Sequence, residues 1–155
     1  MKTILSLFLA VFALNAAAQT ADSAAVPYVF TVVNEIPLFP GCEGQEGSER
    51  IACFSENAEA FVLKLLHYPE QARKAGKEGV VYVSFIVNTL GKAEQVRLSR
   101  ASATPGYGFE EEALRVVALL PGMIPAKQNN KSVDFAYTMA VPFKLENAAA
   151  GSPAK

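Results

Sequence analysis

The sequence predicts an α+β domain: a three-stranded antiparallel sheet with helices packed on one face. Three observations lead there. "GVVYVSFIV", residues 79–87, places Val81, Val83, Phe85 and Val87 on one side of a strand and Val80, Tyr82, Ser84 and Ile86 on the other. From Val133 to Leu145 every odd position is large and apolar, while the even positions are small, polar, charged or proline. Between these stretches, Phe109, Ala113, Val116, Val117 and Leu120 recur at the spacing of an amphipathic helix.

The remaining elements follow in order. Val26 to Phe39 is rich in β-branched and aromatic residues but interrupted by Pro27 and Pro37, and reads as an extended segment at a sheet edge. Asn57 is a helix-cap residue with Glu59 in the turn after it, and Ala58, Phe61, Val62, Leu65 and Leu66 share a helical face. That helix is expected to end by Tyr68, because the residue before a proline is driven out of helical geometry. Pro69 then opens a second short helix, which Gly76 closes. Asn88-Thr89-Leu90-Gly91 is a hairpin turn, followed by a more polar strand near Glu94 to Ala101. Glu110, Glu111 and Glu112 fall in the first turn of the Phe109 helix, where negative charge is favourable. That helix is long enough to return the chain beside the first strand. Numbered as they occur, the strands then lie in the order 2-1-3, and the last strand keeps an unpaired outer edge.

The chain has 155 residues, 14 basic and 15 acidic, which suits one small domain with tails and gives no basic surface for nucleic acid. No phosphate loop, zinc-protease motif or nucleophile elbow is present. No nucleophile, base and orienting group stand in a recognisable set, so the sequence offers no catalytic residues, cofactor or metal site, and an enzyme is the least favoured class. His67, the sole histidine, lies near a helix end, where a dipole contact accounts for it.

Lys2 followed by the apolar run Ile4 to Leu14 and the small residues before Gln19 reads as a signal peptide, residues 1–18. The apolar run is short of the roughly 20 residues needed to span a bilayer. Export to the periplasm is the expectation, and a retained anchor in the inner membrane facing the periplasm is the alternative. In an oxidising compartment Cys42 and Cys53 read as a disulfide; their spacing is not that of a redox pair, and His67 alone could not complete a zinc site. The expected organisation is a signal at 1–18, an extended segment with the disulfide loop at 19–55, the folded domain at 56–146 and a disordered tail at 147–155.

The folded part resembles the C-terminal domain of TonB, the periplasmic energy transducer. The resemblance rests on Tyr68-Pro69-x-x-Ala72-Arg73, Gly79 before the alternating strand, and Gly91 in the hairpin. It continues through the helix start Phe109-Glu110-x-x-Ala113-Leu114, then Pro121, Pro125 and Lys127, and ends in Val141-Pro142-Phe143-Lys144-Leu145. It implies a protein-interaction domain in energy-coupled transport, gripping the TonB-box peptide of an outer-membrane transporter as a strand added to the sheet edge. On that reading Tyr68, Pro69 and Arg73 flank the partner, and Asp134, Ala136, Thr138 and Ala140 form the pairing edge. The chain departs from the family in lacking a long proline-rich spacer, in Met123-Ile124 where an aromatic usually stands, and in Asn130 where glycine is common. ExbB and ExbD enter as partners only if the N-terminal segment stays as an anchor. The competing reading is an exported structural or assembly protein that uses the same edge for a homodimer or another envelope partner.

Overall fold

The structure is a computed structural model that describes residues 29–146; the expected signal peptide and tail lie outside them. Its elements are strand β1 (Val29–Phe30), helices α1 (Gly47–Leu65) and α2 (Glu70–Lys74), strands β2 (Gly79–Val87) and β3 (Ala93–Arg100), helix α3 (Phe109–Val117), and strands β4 (Ala126–Gln128) and β5 (Lys131–Phe143). The sheet runs β1-β5-β2-β3, with β4 also paired to β5.

The three long strands take the expected order, with β2 central. β2 and β5 pair antiparallel without interruption from Gly79↔Phe143 to Val87↔Phe135. That register puts Val81, Val83, Phe85, Val87, Met139, Val141 and Phe143 on the buried face, under the helices. β3 is less regular: Gln95 has a positive φ of 51°, and the register shifts twice along the pair. Such bulges suit an edge strand, because they bend it away from neighbouring molecules.

Two short strands modify the expected three. β1 runs parallel to β5, with Val29 opposite Asp134 and Phe30 opposite Phe135, so the far edge of β5 is covered at that end. β4 pairs with Lys131–Val133 through a turn at Asn129 and Asn130, both left-handed (φ 51° and 60°). Asparagine tolerates that geometry, so Asn130 stands comfortably in place of glycine. The segment after β1 is extended, as expected, but its main bonds go to the β4 stretch: Glu35 and Lys127 exchange two backbone hydrogen bonds, as do Leu38 and Ile124. Met123 is buried in the core despite not being aromatic.

The first helix starts ten residues before the expected Asn57. α1 begins at Gly47, and Phe54, Ala58 and Val62 form its buried stripe. Asn57 is not a cap; its amide donates to the Cys53 carbonyl one turn back (2.8 Å) and lies 3.2 Å and 3.4 Å from the sulfurs of Cys53 and Cys42. The two cysteines are bridged, with Cα atoms 5.9 Å apart, which fastens the loop after Phe39 to the second turn of α1. At the other end α1 stops at Leu65, sooner than proline alone requires, with Leu66 already extended (ψ 124°). Pro69 sits just before α2 as its cap residue, and Gly76 closes that helix with φ 59°.

Gly91 meets two demands. It has φ 77°, and a Cβ there would lie 1.7 Å from the Met123 carbonyl oxygen. The contact exists because the Met123 amide donates to the Gly91 carbonyl (2.8 Å), fastening the β2–β3 hairpin to the chain leaving α3. Gly91→Ala is expected to cost more than ~2 kcal/mol, as both the backbone and the contact must move; a urea midpoint within error of wild type contradicts this. Replacing both cysteines by serine is expected to cost about 3 kcal/mol through the loop it releases, with near-native circular dichroism retained.

Candidate functional site

The uncovered edge of β5 is the feature a partner can reach. Along a strand, successive N–H and C=O groups point to opposite sides. The Asn88 amide donates to the Lys92 carbonyl across the β2–β3 turn (2.9 Å), so even residues of β2 address β3 and odd ones address β5. The unbroken β2–β5 register carries this parity across: Val81, Val83, Phe85 and Val87 meet Val141, Met139, Tyr137 and Phe135. The backbone groups of Ala136, Thr138 and Ala140 therefore point away from the sheet. Pro142 fits the same parity, since it lies opposite Val80 and has no N–H to offer a partner there. Among the described residues, no strand pairs with this edge beyond Phe135.

A groove of about 180 Å³ runs along it, with Thr138, Ala140 and Pro142 on one side and Ser55 and Glu59 of α1 on the other. Thr138 and Ala140 are exposed. The groove floor is held by Tyr137, whose ring meets Phe54 edge-on at 5.0 Å and whose hydroxyl lies 3.3 Å from Ser55 Oγ. Ser55 and Glu59 were missed from sequence; their spacing of four places them on one helix face, but only tertiary packing turns that face toward β5.

The other expected site residues divide. Asp134 lies on β5 but is not free: β1 pairs alongside it, and its carboxylate accepts the Thr89 amide (3.0 Å), latching the hairpin tip. Tyr68 is half-buried, its ring edge-on to Phe109 (6.0 Å) and Phe143 (6.1 Å). Its hydroxyl donates to the Lys77 carbonyl; burial, with help from the Glu78 charge, pushes the phenol pKa up and keeps that donor protonated. Pro69 packs toward Gly108 before α3. Arg73 is exposed on α2. Tyr68 thus meets β5 at Phe143, the end opposite Asp134, and the groove beside Thr138 includes none of these three.

The break between α1 and α2 has its own fastening. Glu112 of α3 accepts the His67 amide (2.7 Å) and is paired with Arg115 at 2.6 Å, one turn on. Arg115 in turn donates to the Leu65 carbonyl at the end of α1 (2.9 Å) and lies 2.9 Å from His67 Nδ1. The glutamate that sequence assigned to a helix dipole therefore has specific partners, and His67 joins them. Partial burial raises the Glu112 pKa, but the Arg115 and His67 hydrogen bonds outweigh it and hold the carboxyl below the usual carboxylate range. Among the described residues no cluster of metal-ligating side chains occurs, and no helix is long and apolar enough to cross a membrane.

Residues 64–145 match the family model of the Gram-negative bacterial TonB protein C-terminal region. Among solved structures, the chain is similar to the TonB C-terminal domain of Helicobacter pylori, determined by NMR in solution. That likeness has 22% identity and a TM-score of 0.44, and covers 60% of this chain and 95% of that one. No curated protein matches the chain at a significant level.

The lowered Glu112 pKa has a definite sign. A carboxyl depressed in the folded state stabilises above its unfolded pKa of about 4.3, and that contribution disappears as pH falls through the folded value. Glu112→Gln is expected to be less stable than wild type at pH 7, with the difference closing in acid. Because the pair is partly solvated the gap is modest, roughly 1 kcal/mol or less. Denaturant titrations at several pH values check this; a gap independent of pH contradicts it.

Proposed function

The chain belongs to the Gram-negative bacterial TonB C-terminal family, and from that premise we propose that its β5 edge binds the TonB-box peptide of an outer-membrane transporter. The domain is a protein-interaction module of a TonB-like energy-transduction system, and the family is periplasmic in Gram-negative bacteria. The observation that carries the finer reading is the edge itself. Ala136, Thr138 and Ala140 turn their backbone groups outward beside a groove, and their side chains are too small to obstruct an arriving strand. Main-chain pairing supplies affinity there, and α1 supplies a wall against which the partner's side chains can pack. The positions of Tyr68 and Pro69 support a supporting role for both: they hold the α1–α2 corner and the end of β5, and reach the partner only indirectly.

Two backbone substitutions test this. An ester in place of the Thr138 amide removes a donor that faces the groove; one in place of the Tyr137 amide removes a donor that faces β2. Calorimetric titration with a synthetic transporter N-terminal peptide is expected to show the Thr138 ester binding about fivefold more weakly, at nearly unchanged stability. The Tyr137 ester is expected to cost about 1 kcal/mol of stability. The reverse pattern, or no binding of the peptide to the unmodified protein, contradicts the reading.

A further inference from the structure

We propose that β1 is a built-in stop that limits the β5 edge to one short extended peptide and denies it to a second copy of this chain. The inference rests on the strand-addition reading and says what kind of strand the edge accepts.

β5 is long, Lys131–Phe143, and its exposed even positions carry only small or polar side chains. A strand of that length with a free edge is a template for its own copies, which could pair with it over many residues. Both ends of the edge are closed. At one end β1 lies parallel beside Asp134–Phe135. At the other end Pro142 has no amide to give. What remains runs from Ala136 to Val141, roughly six residues or 20 Å of strand.

β1 is held in place from behind. The chain leaves it through Asn34, whose amide donates to Gln128 Oε1 (2.9 Å) and whose side-chain oxygen accepts the Asn129 amide (2.9 Å). Glu35 then exchanges two backbone bonds with Lys127, and Arg50 of α1 binds the Ile36 carbonyl (2.7 Å) and Glu35 (3.3 Å). These contacts carry the chain away from the edge just after Phe30, so β1 does not itself grow along Ala136–Thr138 and fill the slot. The stop is thus positioned by anchors that a partner strand does not need to break. A peptide of about six residues fits between β1 and Pro142. A second β5 does not fit, because its ends would meet β1.

The test uses the whole mature chain and extended peptides of four to ten residues built on the transporter segment that binds wild type. Affinity is expected to rise about fivefold per added residue, one net hydrogen bond each, and to level off near six. In the double variant Val29→Pro, Phe30→Pro, which prevents β1 from pairing, the plateau is expected two residues later, and sedimentation should reveal concentration-dependent dimers absent from wild type. A variant lacking residues 19–31 leaves the Asn34 anchor intact and provides a second reading if the prolines perturb folding. The same plateau with and without β1, or a wild-type dimer that peptide dissociates, overturns the inference while leaving strand addition standing. Absence of binding by peptides of every length to all three proteins overturns both.

Discussion

The pairing of β2 with β5 is the constraint on which the rest depends. Nine consecutive residue pairs hold one register from Gly79↔Phe143 to Val87↔Phe135. A slip of one residue would turn the buried set of β5 to solvent and its small even residues into the core. The aromatic network shows what that would cost. Phe143 sits 4.5 Å from Phe109, Tyr137 lies 5.8 Å from Phe85 and 5.0 Å from Phe54, and all are on one side of the sheet. The same register that builds the core decides which backbone groups of β5 face outward, so the groove inherits its chemistry from the packing behind it. β3 answers to no such demand, which is why it can carry two register shifts without disturbing the core.

The residues that carry the family resemblance are for the most part the ones that hold this frame together. Tyr68 wedges between Phe109 and Phe143, Gly91 admits the Met123 carbonyl, and Phe109 is wholly buried. The proposed pairing residues Ala136, Thr138 and Ala140 have no distinctive pattern beyond being small. The proposed strand addition accounts for the difference. Main-chain recognition asks little of the receiving side chains except that they stay out of the way, whereas a core asks for particular shapes.

This also accounts for what could be read in the sequence. The long alternations at Gly79–Val87 and Val133–Leu145 and the α3 stripe were legible because a one-sided core leaves its period in the chain. The α1 start was not: Asn57 and Glu59 imitate a helix beginning, while the true start at Gly47 has no side-chain cap, and its helical state is shared with a disulfide and a buried Phe54. β1 and β4 span two and three residues, too short for any period to show, and exist through backbone pairing with partners about a hundred and about five positions away along the chain. The Glu112–Arg115 pair was visible from its spacing of three residues, but the bond of Glu112 to His67 and that of Arg115 to Leu65 depend on a helix packing that no local pattern announces.

The groove is therefore a joint product of two parts of the chain. Its β5 side lies inside residues 64–145, the part that matches the family. Its other wall, Ser55 and Glu59, and its stop, β1, lie before that part. Cys53 stands two residues ahead of Ser55 on the same helix, so the disulfide that fixes the loop after Phe39 also steadies the wall beside the edge. Asn57 strengthens this link, because one amide reaches the Cys53 carbonyl and both sulfurs. The matched region supplies a sheet with an edge. The preceding segment narrows that edge, walls it on one side and closes one end, and so converts a generic capacity for strand pairing into a slot of defined length.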